Sequence, residues 1–391
     1  MLGLEEAQRR LLHRAAPLPA ETVSIDACHG RVVARDISAN RSQPAADLSI
    51  MDGYAVAGPG PWTIVGEARA GRAFDRSIGA GEATRVSTGA PVPGGTTRVL
   101  PMEAGAARGR SLEPTAETHE AYIRPAGFDF VEGRIVLSAG QRIGAAQLAL
   151  LRMAGTGNVP CHSIPRVAII ECGDELVSDP TSATGMSIPA ANGAMVAAMA
   201  RSAGAHAEIF GPVPDRLAAV VAALDDTAGH DCVITIGGAS VGLHDLVKPA
   251  LEAVGADLDF WRVAVKPGKP MLVARRGRQT IIGLPGNPAS SFVTAFLFAV
   301  PFLKALQGCN RVFPASIPLP LAAPLPEGGD RREFVRATFA DGQADPIMER
   351  DSSALLALAA ADLLIDRPAN APPAEAGDTA MCFGLDAFGP A

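Results

Sequence analysis

The chain has 391 residues, a formal net charge of −7, 48 % hydrophobic and 19 % charged residues. At roughly 150 residues per domain this length suggests two to four domains, and the apolar content excludes wholesale disorder. The negative balance argues against a general binder of nucleic acid or anionic membrane, and with two Trp and two Tyr there is little material for a base-stacking platform.

Residues 1–10 contain Glu5, Glu6, Arg9 and Arg10 and no apolar run, so they do not read as a signal peptide. Leu4, Ala7, Leu11 and Leu12 share one helical face, and Val23, Ile25, Val32 and Val33 suggest short strands about the turn at Cys28-His29-Gly30. Residues 61–137 change character: β-like runs at 62–65, 84–87, 98–101 and 121–124 are broken by Gly and Pro, which predicts a small β-domain. Residues 104–118 read as a polar loop. A helix near 148–153 leads into a Gly-rich linker at 155–160.

Strands and helices then alternate. Strands are expected at 167–170, 207–210, 232–236, 260–265, 271–274 and 280–282. Helices are expected at 192–202, 215–224, 245–254 and 289–306. This alternation predicts a parallel sheet covered on both faces. The apolar stretch 292–303 is too short to span a bilayer and contains Pro301, so it reads as a buried helix. The five prolines of 311–326 predict a linker or edge segment. Residues 330–391 read as a small β-rich domain with one helical run at 353–362.

Ligands of open parallel sheets bind at the carboxyl ends of the strands. Five such ends carry Cys172-Gly-Asp-Glu-Leu176, Pro212-Val-Pro-Asp215, Gly237-Gly-Ala-Ser-Val-Gly242 followed by His244-Asp245, Lys266-Pro-Gly-Lys-Pro270 and Gly283-Leu-Pro-Gly-Asn-Pro288. Gly237, Gly238 and Gly242, with Ser240 among them, let backbone N–H groups approach an anion, and the last loop with Pro285, Gly286, Asn287 and Pro288 is similar, Pro288 being placed for the first turn of a helix. Neither loop is a Walker A or G-x-G-x-x-G motif. The chain has only four lysines, and Lys248, Lys266 and Lys269 fall within 22 residues. A compact ammonium there suits a phosphate or oxyanion. Asp174, Glu175, Asp215 and Asp245 suit Mg²⁺, which takes one or two carboxylates plus substrate oxygens. Asp215 and Asp245 serve equally well as helix N-caps on this pattern. His244 reads as a solvated loop residue, and Cys172 shows no nearby cation pair to activate its thiol. The six cysteines form no C-x-x-C and the histidines no H-E-x-x-H, so a structural zinc or iron–sulfur site is not expected. The simpler expectation is reduced thiols in a cytosolic compartment. The residues alone imply a multidomain enzyme that binds a phosphorylated, nucleotide-like ligand with a divalent cation.

These loops carry a resemblance. Ser49-Ile-Met-Asp-Gly-Tyr-Ala-Val56, Ser87-Thr-Gly-Ala-Pro-Val-Pro93, Gly173-Asp-Glu-Leu176, the Gly237 loop with Asp245, Lys266-Pro-Gly-Lys-Pro270, Gly283-Leu-Pro-Gly-Asn-Pro-Ala-Ser290, Arg332-Glu-Phe-Val-Arg336 and Asp351-Ser-Ser-Ala354 resemble, in order, the molybdopterin molybdenumtransferases, the MoeA family that includes the E domain of gephyrin. The resemblance implies a multidomain α/β plus β protein. An elongated N-terminal helical and extended part would comprise 1–42 and 130–160. A small β-domain would be inserted at 43–129, a doubly wound α/β domain of molybdopterin-binding type would span 161–308, and a C-terminal β-barrel-like domain would span 309–391. It implies a cytoplasmic homodimer that ligates molybdate to the dithiolene of adenylated molybdopterin with release of AMP, Mg²⁺ being present. Its partners would be an upstream molybdopterin adenylyltransferase and downstream molybdoenzymes or carriers, with no nucleic acid and no membrane. By motif position Asp52, Thr88 and Asp129 would come from the partner's β-domain side. Glu175, Asp215 and Asp245 would serve the cation and the pterin nucleotide. Lys266, Lys269, Ser290, Arg336 and Ser353 would surround the oxyanion. Departures are Cys172 where the family has Thr, Ala190-Ala191 where it has Asp-Ser, Phe128 in the Ala126-Gly-Phe-Asp129 segment, and Thr96-Thr97-Arg98 after Gly95 in place of Ala-Asp-Ala. They leave a second reading open, a catalytically weak paralogue acting as pterin carrier or scaffold. The related adenylyltransferase is a third, and its Gly-Gly-Thr-Gly loop is absent.

Overall fold

A computed structural model describes residues 1–238 and 246–385. Ser240, Gly242, His244 and Asp245 lie outside the described residues.

Four parallel strands form the centre, three of them largely apolar and buried and one, His206–Val213, a half-exposed edge strand. Arg166–Cys172, His206–Val213, Cys232–Ile236 and Gln279–Leu284 pair in parallel, in the spatial order second, first, third, fourth. Such strands are stable only when both faces are covered. Their alternate side chains serve two separate cores. Val167, Ile169, Ile234 and Ile282 pack with the helices Asn192–Ser202 and Pro288–Thr294 and its continuation to Leu306. Ala168, Ile170, Val233 and Ile281 pack with Leu217–Asp226 and Val247–Ala253.

The sheet is mixed, not wholly parallel as the alternation predicts. Leu272–Arg276 hairpins back antiparallel to Gln279–Leu284, and Asp257–Trp261 pairs antiparallel to it in turn. Two reversals leave Trp261 pointing to the same edge as the parallel strands. The lysine loop therefore still opens at the carboxyl edge.

The helix expected at 289–306 runs 19 residues from Pro288 to Leu306, beyond the apolar stretch 292–303, and by length and composition it could cross a membrane. In the fold 83 % of its apolar window is buried, in the manner of a core helix. Its middle turn, Ala295–Ala299, is π-helical. The N-terminal helix Leu4–His13 packs Leu4, Ala7 and Leu11 onto this same core.

The strands Ala20–Ser24 and Ile37–Ser38 pair with Asn158–His162 and Ile135–Leu137, so distant stretches close one small unit. Residues 158–160, expected in a linker, are strand because their N–H and C=O groups have Thr22–Ser24 as partners. Between the two halves lies a six-stranded sheet in the order Arg98–Pro101, Gly53–Val56, Glu82–Val86, Trp62–Ala68, Ser111–Pro114, Gly105–Arg108. Its last two strands are a hairpin where composition suggests loop, with Leu112 buried against Trp62. Only Ile123–Arg124 of the expected fourth run is strand.

In the C-terminal part Arg332–Ala340, Leu363–Arg367, Thr379–Gly384 and Ser316–Pro320 pair in succession, and Gln343–Pro346 lies on the other side of the first. A bridge between Leu321 and Ala344 joins the ends into a barrel filled by Val335, Ile365 and Cys382. The proline-rich segment is thus partly strand. It tolerates Pro318 and Pro320 because it has a full ladder on one side only. The helical run contracts to Leu355–Ala359.

Phe296 is fully buried where the N-terminal helix, the sheet and Phe383 of the barrel meet. Phe296→Ala is expected to cost about 3–5 kcal/mol of unfolding free energy in a chemical denaturation titration.

Candidate active site

The strand ends converge on a cleft of about 740 Å³, lined by residues that include Glu171, Cys172, Gly173, Glu175, Asn192, Asp215, Gly237, Gly238, Pro285, Gly286, Asn287, Pro288, Ser353 and Leu355. The glycines are sterically required. Gly237 and Gly238 have φ of +85° and +63°; a Cβ on the first would lie 2.8 Å from the Cys172 carbonyl oxygen, and on the second 2.9 Å from Val247.

Asp215 lines this cleft from the loop after His206–Val213. It is not the N-cap. The helix starts at Leu217, with Arg216 in the cap position in an extended conformation, φ −130° and ψ 128°. The Asp215 N–H donates to Asp174 Oδ1 at 3.1 Å. Glu175 folds back over Gly173, so that a Cβ there would meet its Oε2 at 2.6 Å. Glu175 and Asp215 therefore face one cavity. Among the described residues no three His, Cys, Asp or Glu side chains are grouped closely enough to hold a metal by themselves. Two carboxylates lining one cavity suit a cation that takes its remaining oxygens from a substrate. The third expected member, Asp245, lies outside the described residues, as does Ser240.

Cys172 is buried, and burial beside Asp215 and Glu171 pushes its thiol up to about 12. It is not a nucleophile. At pH 8 only about one molecule in 10⁴ carries the thiolate, so iodoacetamide on the native protein should leave the Cys172 peptide unlabelled over the time in which the half-buried Cys309 reacts.

A second pocket, about 290 Å³, shares Pro270 with the cleft and is lined by Lys266, Lys269, Ser290, Arg331, Glu333, Arg336, Glu349, Arg350 and Ser352 among others. Its charge is opposite: the cleft lining holds Glu171, Glu175 and Asp215 and no described Lys or Arg, whereas this pocket holds five cations against two carboxylates. Lys266 Nζ lies 3.0 Å from Glu333 Oε1, and Arg350 approaches the same carboxylate at 3.6 Å. Arg336 is 6 % exposed and donates to the carbonyls of Glu349, Asp351 and Ala354 at 2.6–3.0 Å. It holds the 349–354 loop over the pocket, and burial lowers its affinity for the proton. Within that loop Ser353 donates to Asp351 Oδ1 through its hydroxyl, at 2.6 Å, and its N–H. Both bonds depress the Asp351 pKa. Asn287 Nδ2 reaches Ser352 Oγ at 2.7 Å, joining the two pockets' walls.

The lysine loop depends on Gly268. Its φ is +122°, and a Cβ would sit 2.5 Å from Thr294 Cγ2. Gly268→Ala should destabilise by roughly 1–3 kcal/mol, and adding Thr294→Ser, which deletes that methyl group, should restore part of the lost thermal midpoint.

Asp52 and Thr88 are together but elsewhere. On the exposed surface of the inserted β-domain, Asp52 Oδ1 accepts the Thr88 N–H at 2.7 Å and its hydroxyl at 3.0 Å. Those bonds hold the carboxyl below its ordinary range. Asp129 is also exposed, its N–H bonded to Gln43 O. None of the three lines either pocket of its own chain. Sequence reasoning missed Glu171, Arg331, Glu333, Glu349, Arg350 and Asn192. Glu333 lies inside a quoted motif and Arg331 and Arg350 adjoin two, whereas Glu171, inside a strand, gave no signal.

Three family profiles match in the order of these parts: the MoeA N-terminal region, domains I and II, over residues 2–155; a probable molybdopterin binding domain over 168–305; and the MoeA C-terminal region, domain IV, over 318–381. The chain belongs to the molybdopterin molybdenumtransferase family. Similar proteins include a molybdopterin molybdenumtransferase of Staphylococcus aureus, 30 % identical over 97 % of this chain and 94 % of that one. Another is molybdopterin molybdenumtransferase 2 of Mycobacterium tuberculosis, 33 % identical over 98 % and 100 %. A crystal structure of the molybdopterin biosynthesis MoeA protein from Pyrococcus horikoshii shares the fold, with a TM-score of 0.86 at 24 % identity over 98 % and 100 % of the two chains. The chain is a transferase of molybdenum cofactor biosynthesis.

Proposed function

We propose that this protein ligates molybdate to the dithiolene of adenylated molybdopterin and releases AMP. The observation that carries the reading is the charge separation between two contiguous cavities. A pterin nucleotide needs room, backbone N–H groups for its phosphates and carboxylates for an accompanying cation. The cleft offers these in Gly238, Gly286–Asn287, Glu175 and Asp215, while the Gly237 N–H is taken by Leu284 O at 3.2 Å. A tetrahedral oxyanion needs cations at short range, and the adjoining pocket offers Lys266, Lys269, Arg331 and the Ser290 side. A ligand lying across Pro270 would hold its sulfur atoms at the mouth of the pocket that holds the oxyanion, which turns a bimolecular encounter into a positioned one.

Mg²⁺ is read here as held by Glu175 and Asp215 together with substrate oxygens. When bound it would neutralise phosphate charge as AMP leaves. The chain's own residues do the remaining work: the lysines and arginines hold the oxyanion, the glycine loops seat the phosphates, and Asn287 fixes the walls against each other. A homodimer in which Asp52, Thr88 and Asp129 of one protomer complete the site of its partner would account for an Asp–Thr pair that is ordered, exposed and remote from its own cleft. In this reading the substrate comes from a molybdopterin adenylyltransferase, the product passes to a molybdoenzyme or carrier, and the reaction is cytoplasmic.

The test is release of AMP from adenylated molybdopterin by the purified protein with Mg²⁺, with and without molybdate, beside the Lys266→Ala/Lys269→Ala variant. Molybdate-dependent release that falls at least about tenfold in the variant is the expected outcome. Tight binding of the adenylated pterin without any release would overturn the insertase and leave a carrier.

A further inference from the structure

Glu171 stands out among the groups that this reading does not use. It is a carboxylate only 2 % exposed, on the floor of the cleft, in a cavity with no described basic side chain. A buried carboxylate without a counter-charge is costly. Its partners explain how it is held. Oε1 accepts the Asn192 N–H at 3.1 Å and Oε2 the Gly193 N–H at 2.8 Å. These belong to the first turn of Asn192–Ser202, whose first internal bond runs from Met195 N–H to Ala191 O, so neither has a helical acceptor.

The chain gives this helix no local cap. Ala190 and Ala191 precede it, and neither side chain can accept a hydrogen bond. Residue 193 is glycine for the same reason that Glu171 can reach: a Cβ there would lie 2.6 Å from Glu171 Oε2. The helix start is thereby fixed, and Asn192 Nδ2 donates to Gly286 O at 2.7 Å, tying it to the loop after the fourth parallel strand. A helix N-terminus at this edge of a parallel sheet is ordinarily a place where a phosphate binds. Here a side chain of the protein fills it.

We infer that Glu171 is a positioning residue for the ligand's phosphate: its carboxylate occupies the anion position at the start of Asn192–Ser202, excludes a phosphate from it, and directs that phosphate to the backbone of Gly238 and Gly286–Asn287. The inference rests on the nucleotide-binding reading above. Glu171 acts through the helix and through its own charge, and bonds to no substrate atom.

The experiment compares equilibrium binding of AMP and of adenosine, which lacks the phosphate, to the full chain. Three proteins are needed: wild type, Glu171→Gln, and Glu171→Ala/Ala190→Ser, in which a serine supplies a neutral cap for the same N–H groups. Thermal midpoints show which variants keep the fold, and the double variant decides if the Gln protein does not. AMP should bind on the order of tenfold more tightly to the variants, equivalent to about 1.4 kcal/mol. Adenosine should stay within about twofold, and the gain should shrink between low and high salt. A purely structural cap would move both ligands together. Parallel shifts, an unchanged AMP affinity, or no AMP binding by any of the three would overturn the inference. Failure of the insertase reading is read separately, as absence of molybdate-dependent AMP release by the wild type.

Discussion

The carboxyl edge of four parallel strands leaves backbone polar groups with no ladder partner, and the rest of the molecule is organised around that deficit. Turns rich in Gly and Pro let the chain leave the sheet abruptly, and helix starts bring further N–H groups to the same place. The protein answers part of the demand internally, with the Glu171 carboxylate and the Asn192 amide. What it leaves unanswered is a cleft lined by glycine backbone. An anionic ligand fits because it supplies acceptors where the fold has surplus donors.

Charge is then partitioned along the edge. Acids collect where the parallel strands end. Bases collect one loop further, where the sheet meets the barrel, with Glu333 and Glu349 among them. An overall charge of −7 is therefore no obstacle to oxyanion binding, because the relevant potential is set within a few ångströms by Lys266, Lys269, Arg331 and Arg350.

The strand ends were legible because period and punctuation are local properties. Apolar runs such as Val167 to Ile170, followed at once by Gly and Asp, mark both a buried strand and the loop that ends it. The ordered motifs added the family. What was not legible depended on contacts between distant residues. Nothing in the composition of 104–118 announces a hairpin, which exists because Leu112 buries against Trp62. Asp215 has the composition of a cap, yet its N–H is bonded to Asp174 across the cleft wall and the helix starts two residues later. Glu171 lies inside an apolar strand, and only the fold shows that its side chain answers a helix start 21 positions later. The apparent deficit at Ala190-Ala191 and the unexplained carboxylate at 171 are two halves of one arrangement.

The lysine loop belongs to two sheets at once. It leaves the α/β sheet at Trp261, runs as the edge strand Val265–Lys266 alongside Arg332–Glu333 of the barrel, and re-enters the α/β sheet at Leu272. Neither end is free. The barrel cannot rotate against the α/β domain without pulling on the two short arms that carry Lys266 and Lys269. Position of Lys266 and Lys269 and orientation of the C-terminal domain are therefore a single mechanical variable, and anything that grips the barrel from outside has a direct hold on the lysine loop.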